Sequence, residues 1–241
     1  METIFVDIGN SYMKAGIKRG LEWEQLIELE NSAYEQFFDW IDERKERFLV
    51  CCVNPELSRL LDNRSDESRL RRIRNRDILP ETLHYESPHT LGLDRYFACL
   101  GASQMTPGSV VVVDAGTACT IDYMGSGGVF HGGVIMPGLK LYASSLAGRI
   151  PALKAEGDSL PDHWPGRNTS ECVRWGTLGA YLEALSGFLH RYRQAYGEFQ
   201  IYLTGGDAEW IASKLSLQPS PRVRPFLVFE GMEAAMQEFG W

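Results

Sequence analysis

The sequence predicts an α/β fold made of two similar halves, and three observations carry that prediction. The segments "IFVDIGNS" (4–11) and "VVVDAGTA" (111–118) share one scheme: an apolar strand, an Asp, any residue, a Gly, then small polar residues. Their acids, Asp7 and Asp114, lie 107 residues apart, about the length of one small α/β domain, as a repeated structural unit would give. A third apolar run ends in two glycines and an acid at "LTGGDA" (203–208).

Taken in order, residues 3–8 and 12–18 read as a strand pair around a Gly-Asn-Ser turn. "NSAYEQFFDWIDERKERF" (31–48) sets aromatic residues at helical spacing with charges elsewhere, so it reads as an amphipathic helix. "FLVCCV" (48–53) is a short continuous apolar run, the pattern of a buried strand. "PELSRLLDNRSDESRLRRIRNRD" (55–77) carries six arginines from Arg64 to Arg76. Asp62, Asp66, Glu67 and Asp77 interleave with them, which favours a solvated helical face over a phosphate-binding patch. "LDRYFACLGASQM" (93–105) reads as a helix, and "TPGS" (106–109) as a break. Val110–Val113 and Thr120–Met124 then read as strands. After a "GSGG" turn (125–128), residues 129–150 pass from strand to helix. Residues 170–196 form one long helix or a pair broken at Gly176 and Gly179. Residues 199–215 read as strand, glycine turn and helix, and "PFLVFEGMEAAMQEF" (225–239) as a repeat of that order.

The 241 residues are 44% hydrophobic and 11% aromatic, enough for a sizeable core and outside the range of disorder. A net charge of −8 argues against a general nucleic-acid binder, which needs clustered Lys and Arg. Five cysteines (Cys51, Cys52, Cys99, Cys119 and Cys172) contain no C-x-x-C pair, and five histidines contain no H-x-x-x-H. Neither a disulfide framework nor a zinc site is therefore expected. Adjacent Cys51 and Cys52 point to opposite faces of a strand and read as small core residues. No apolar run reaches the roughly 18 residues that span a bilayer. Glu2 and the immediate strand do not resemble a signal peptide, so a reduced, cytoplasmic location with no membrane partner is expected.

A buried acid at a strand end is costly unless something pairs with it. One such segment alone reads as an ordinary β-hairpin with Asn and Gly in the turn. Two facing each other would put an acid at each lip of a cleft, which suits a nucleotide carrying Mg²⁺ with phosphate oxygens on the turn amides. Glycine lets the backbone approach a phosphate closely, and "LTGGDA" suits the sugar and base. The sequence has no Walker segment, no G-x-G-x-x-G fingerprint and no H-R-D loop.

These residues resemble the ATPase fold shared by acetate and sugar kinases, Hsp70 and actin, and among its members the type III pantothenate kinase family. The family's phosphate-1 motif is similar to "DIGNSYMK" (7–14), and its G-x-D-R substrate motif to "GLDR" (92–95). Its phosphate-2 motif is similar to "DAGTACTID" (114–122), followed by "GGVIMPGL" (132–139). Its Asn-Thr segment is similar to "RNTSECVRWG" (167–176), and its last two strands to "YLTGGDA" and "LVFEGM". The resemblance covers essentially the whole chain, in order. Ser11 stands where Thr is common, Leu93 fills the variable slot, and 150–166 shows no clear motif.

The resemblance implies two ribonuclease-H-like domains with the nucleotide cleft between them: 1–108 with phosphate-1, and 109–241 with the phosphate-2 and adenosine motifs. It implies phosphorylation of pantothenate by ATP and Mg²⁺. The ATP contacts would be Asp7, Ile8, Gly9, Asn10, Ser11, Tyr12, Met13, Lys14 and Thr117. Pantothenate would be held by Tyr85, Gly92, Leu93, Asp94 and Arg95, with Asp94 as the base. Thr169 would reach the substrate of the other subunit of a homodimer, and Asp114 would help bind a monovalent cation, K⁺ or NH₄⁺. On the residues alone, Asp94 and Arg95 read equally well as a helix start with a surface ion pair. Tyr85 reads as a half-buried core residue, Thr169 as a helix cap and Lys14 as a solvated strand residue. A different acceptor alcohol, such as a sugar, and an ATP-binding regulator without turnover are the competing functions. The acid in "GLDR" favours turnover.

Overall fold

The computed structural model describes residues 2–63, 69–154, 157 and 159–239. Its strands are β1 (Thr3–Ile8), β2 (Tyr12–Arg19), β3 (Glu22–Glu30), β4 (Arg47–Cys52), β5 (Leu70–Arg72), β6 (Val110–Ala115), β7 (Ala118–Met124), β8 (Phe130–Pro137), β9 (Gln200–Thr204) and β10 (Arg222–Val223). Its helices are α1 (Tyr34–Asp42), α2 (Pro55–Asn63), α3 (Leu93–Gln104), α4 (Leu139–Ser144), α5 (Thr169–Arg174), α6 (Ala180–Tyr196), α7 (Ala208–Lys214) and α8 (Leu227–Phe239). The α/β class is the expected one. Two five-stranded sheets form, ordered β3-β2-β1-β4-β5 and β8-β7-β6-β9-β10. Each begins from an acid-ended hairpin, β1–β2 or β6–β7, and the equal order is the repeat the two Asp-x-Gly segments announce.

In the first sheet β1 runs antiparallel to β2 and parallel to β4, which sets Asp7 opposite Lys14 on one side and Cys51 on the other. In the second, β6 runs parallel to β9 with Asp114 opposite Thr204. The first core gathers Ile4, Val6, Ile8, Met13, Phe37, Phe38, Val50 and Leu61. The second gathers Val111, Val113, Ile121, Tyr181, Leu185, Ile201 and Leu203. Cys51 and Cys52 are both buried, as two successive core positions of β4.

The chain forms two compact units, 1–107 with 124–132 and 226–241, and 108–123 with 133–225. The chain returns twice to the first unit. The second return is α8, where the sequence suggested strand, turn and helix. "LVFEGM" is helical, and Gly231 lies within the helix. A Cβ on Gly231 would overlap the Phe97 carbonyl of α3, and one on Gly101 would overlap the Leu227 carbonyl of α8. These glycines serve a close helix crossing instead of a turn.

Two further expectations change. The strand β3 was not anticipated: its alternation of Trp23, Ile27 and Leu29 is broken by a bulge opposite Ala15/Gly16, and much of it is exposed. The arginine-rich stretch is not one helical face, because α2 ends at Asn63 and Leu70–Arg72 pairs with β4 as an edge strand. Arg64, Asp66 and Glu67 lie outside the described residues. Arg72 and Arg74 both donate to Asp62, at 2.8 and 3.0 Å, so this edge is blunted by charge. Residues 169–196 run through α5, a π-helical turn at Trp175–Gly179 and α6 without a break.

Candidate active site

The Gly9–Ser11 turn joins β1 to β2. The Gly9 N–H donates to the Tyr12 carbonyl at 2.9 Å, closing the turn. Ile8 and Met13 are fully buried in the first core, so of these two only the backbone can meet a ligand. Asp7, Gly9 and Ser11 are half-buried, while Asn10 and Tyr12 are exposed. The Lys14 ammonium lies 3.4 Å from a Glu28 carboxylate oxygen on β3.

The "GLDR" turn opens α3 in the same unit. Gly92 is the N-cap residue, Leu93 is buried, and Asp94 sits in the first turn. There an acid is favoured by the helix dipole. The Asp94 carboxylate accepts the Arg95 N–H at 2.8 Å, and a side chain on Gly92 would stand 2.6 Å from it. Glycine thus leaves room for the acid. The Cys51 thiol is pushed well up, first by burial and then by the charges of Asp7 and Asp94. Asp7 and Asp94 therefore both raise the pKa of one buried sulfur of β4. Arg95 is only 7% exposed, which rules out the surface ion pair. Its guanidinium lies 5.8 Å from the Phe130 ring centroid, within cation–π reach.

Tyr85 packs on the same Phe130, ring centroids 6.0 Å apart, and its ring covers Gly132, whose φ of 88° and missing Cβ admit it. The bridge Leu83–Phe130 and the His84 N–H to Phe130 carbonyl bond at 2.8 Å fasten this segment to β8. Tyr85, Arg95 and Phe130 are thus one cluster, contributed by three separate stretches of sequence. The His84 and His131 Nδ1 atoms approach to 3.1 Å beside it. Burial, and then His84, lower the His131 pKa. Phe130 and this histidine pair were not singled out in the sequence, because nothing local marks them.

In the second unit the turn after Asp114 and the "LTGGDA" turn meet. Gly205, at φ 85°, lies against the end of β6: a Cβ there would stand 2.6 Å from an Asp114 carboxylate oxygen and from the Ala115 carbonyl. The Asp207 N–H donates to the Ala115 carbonyl at 3.1 Å. The Gly138 N–H donates to the Thr117 carbonyl at 3.0 Å, so the end of "GGVIMPG" also abuts this turn. Burial raises the Asp207 pKa and Lys140 opposes it. Cys119 is pushed up to about 12, first by burial, with Asp114, Asp122 and Asp207 adding. Asp122 is 1% exposed, and its carboxylate lies against the backbone of Gly133. Thr117 is exposed on its turn. Thr169 is the exposed first residue of α5, and the cap is Asn168, whose side chain accepts the Glu171 N–H at 3.0 Å. Among the described residues no group of three or more His, Cys, Asp or Glu is placed to hold a metal ion, and no helix is long and apolar enough to cross a membrane.

The family model described as type III pantothenate kinase matches residues 3–191. A type III pantothenate kinase of Flavobacterium johnsoniae is 29% identical over 217 residues, spanning 87% of this chain and 88% of the relative. A Campylobacter jejuni protein assigned to the Baf family of transcriptional activators superposes with a TM-score of 0.69 at 24% identity, covering 98% of both chains. A Sinorhizobium meliloti protein assigned as a 2-dehydro-3-deoxygalactonokinase gives 0.55 at 13% identity, again with 98% of each covered. The last two are likenesses of fold.

Proposed function

We propose that this chain, which belongs to the type III pantothenate kinase family, transfers the γ-phosphoryl group of ATP to the primary hydroxyl of pantothenate. The product is 4'-phosphopantothenate, and the step is the first of coenzyme A synthesis. The observation that carries this reading is the family match over 3–191, which contains both acid-ended hairpins and the "GLDR" turn.

The phosphate-1 work belongs to 1–108 and the phosphate-2 and adenosine motifs to 109–241. The backbone of 7–14 and the Thr117 hydroxyl donate hydrogen bonds to phosphate oxygens and so stabilise charge spread over the transferring group. Arg95 offers a planar fork to the pantothenate carboxylate, a geometry a point charge cannot match. Tyr85 and the Gly92–Leu93 backbone line the same substrate segment. Asp94 takes the hydroxyl proton as the new O–P bond forms. The bond to the β-phosphate breaks and ADP leaves.

The donors present are carboxylate and carbonyl oxygens, the set that suits hard cations. Gly205, lacking a side chain, packs close against the Asp114 carboxylate. Asp7 would act on Mg²⁺ through water, and Asp114 would help hold K⁺ or NH₄⁺. Mg²⁺ supplies neutralisation of phosphate charge. Thr169 would contact substrate across a homodimer, and the enzyme would work in the cytoplasm. ADP release measured with and without pantothenate tests the reading. Release that depends on pantothenate supports it, and equal release in both arms sinks it.

A further inference from the structure

We infer that Asn31 is a positioning residue for the phosphate-1 turn, holding its peptide planes in the orientation that a phosphate requires. The inference rests on the ATP reading of that turn. Asn31 follows the last residue of β3, 22 positions from Gly9 in the chain. Its side-chain Nδ2 donates to the Gly9 carbonyl at 3.0 Å, and its backbone N–H donates to the Ser11 carbonyl at 2.8 Å. The Tyr12 carbonyl is held by the Gly9 N–H. Three carbonyls of the turn are thus engaged by protein donors, two of them by one residue.

The electrostatic consequence is direct. A phosphate is attracted by N–H dipoles and repelled by carbonyl oxygens. In a planar trans peptide the C=O of one residue and the N–H of the next point in opposite directions. Drawing the Gly9 carbonyl toward Asn31 therefore turns the Asn10 N–H away from Asn31. The Ser11 bond does the same for the Tyr12 N–H. Glycine at position 9 makes that plane easy to rotate, so the side-chain bond is what fixes it. A carbonyl can only accept, so the Asn31 amide must present nitrogen to Gly9. Its Oδ1 then faces the other way, where it is buried with no hydrogen-bond partner among the described residues.

The test is steady-state kinetics of Asn31→Ala, Asn31→Asp and Asp7→Asn, with ATP and pantothenate varied separately and melting temperatures recorded. Losing one neutral hydrogen bond should raise the ATP KM of Asn31→Ala roughly 3- to 10-fold and leave the pantothenate KM near the parent value. Asn31→Asp keeps the shape but sets an oxygen against the Gly9 carbonyl, so it should be worse than Ala. A packing role would make Asp the better tolerated. The inference is overturned if both Asn31 variants keep the parental ATP KM while Asp7→Asn loses turnover, in which case the ATP reading stands. It is also overturned if both KM values rise together or only the melting temperature falls. Parental kinetics in Asp7→Asn would remove the ATP reading itself, and the inference with it.

Discussion

Gly231→Ala adds one methyl group at the α3–α8 crossing. The new Cβ would stand 2.5 Å from the Phe97 carbonyl carbon and 2.8 Å from its Cα, and would overlap the carbonyl oxygen. All three atoms are backbone, so no rotamer change relieves the contact. Restoring an ordinary separation of about 3.5 Å from all three atoms moves the helices apart by roughly 1.5 Å. Overpacking of this kind costs about 1–3 kcal/mol, while replacing a mid-helix glycine by alanine returns about 1 kcal/mol. Because the clash is with backbone, the upper part of that range applies, and the net loss is about 1–2 kcal/mol. For a chain of this size that lowers the melting temperature by about 3–6 °C, read by circular dichroism. Asp94 and Arg95 lie in the first turn of α3, so the displaced helix should also raise the pantothenate KM. Gly101→Ala should behave alike, and the double variant should lose less than the sum, since both open one crossing. A Gly231→Ala protein that melts at or above the parent temperature would show that the crossing accepts the added methyl without cost.

Asp94→Asn keeps shape and removes the basic oxygen. Its kcat should fall about 10²–10⁴-fold with ATP binding by calorimetry nearly unchanged, and a loss under about threefold removes the base assignment. Arg95→Lys should instead raise mainly the pantothenate KM. Activity should be higher in potassium than in sodium-only buffer, and light scattering should report a dimer; equal rates or a monomer would end the roles given to Asp114 and Thr169. The His131 pKa is lowered in the fold, so the unfolded chain binds that proton more readily, and stability should fall as pH drops below about 6.5. His131→Asn should lose less stability than the parent between pH 7.5 and 5.5, and identical losses would show that the histidine contact has no such effect.

The hairpins were legible because each is a local event: an apolar run, an acid and a glycine within eight residues, once at Asp7 and again at Asp114. Leu93–Gln104 was legible for the same reason, its apolar spacing being that of a helix. What escaped was set by partners distant in sequence. Gly231 looks like a turn glycine until Phe97 is known to lie against it. Leu70–Arg72 looks like part of a charged helix until β4 offers it an edge. Phe130, which joins Tyr85 to Arg95, and Asn31, which ties Gly9, carry no local mark of their tasks. The acids that end these hairpins could thus be read from sequence, and the groups packed around them could not.

Product identification separates pantothenate phosphorylation from the competing activities. The chain is incubated with ATP, Mg²⁺, K⁺ and pantothenate, and the mixture is followed by mass spectrometry and phosphorus NMR. One phosphoryl group is expected on the primary hydroxyl of pantothenate for each ADP formed, with far slower formation by Asp94→Asn. ADP formed without phosphopantothenate, or a different alcohol phosphorylated in preference to pantothenate, would contradict that expectation.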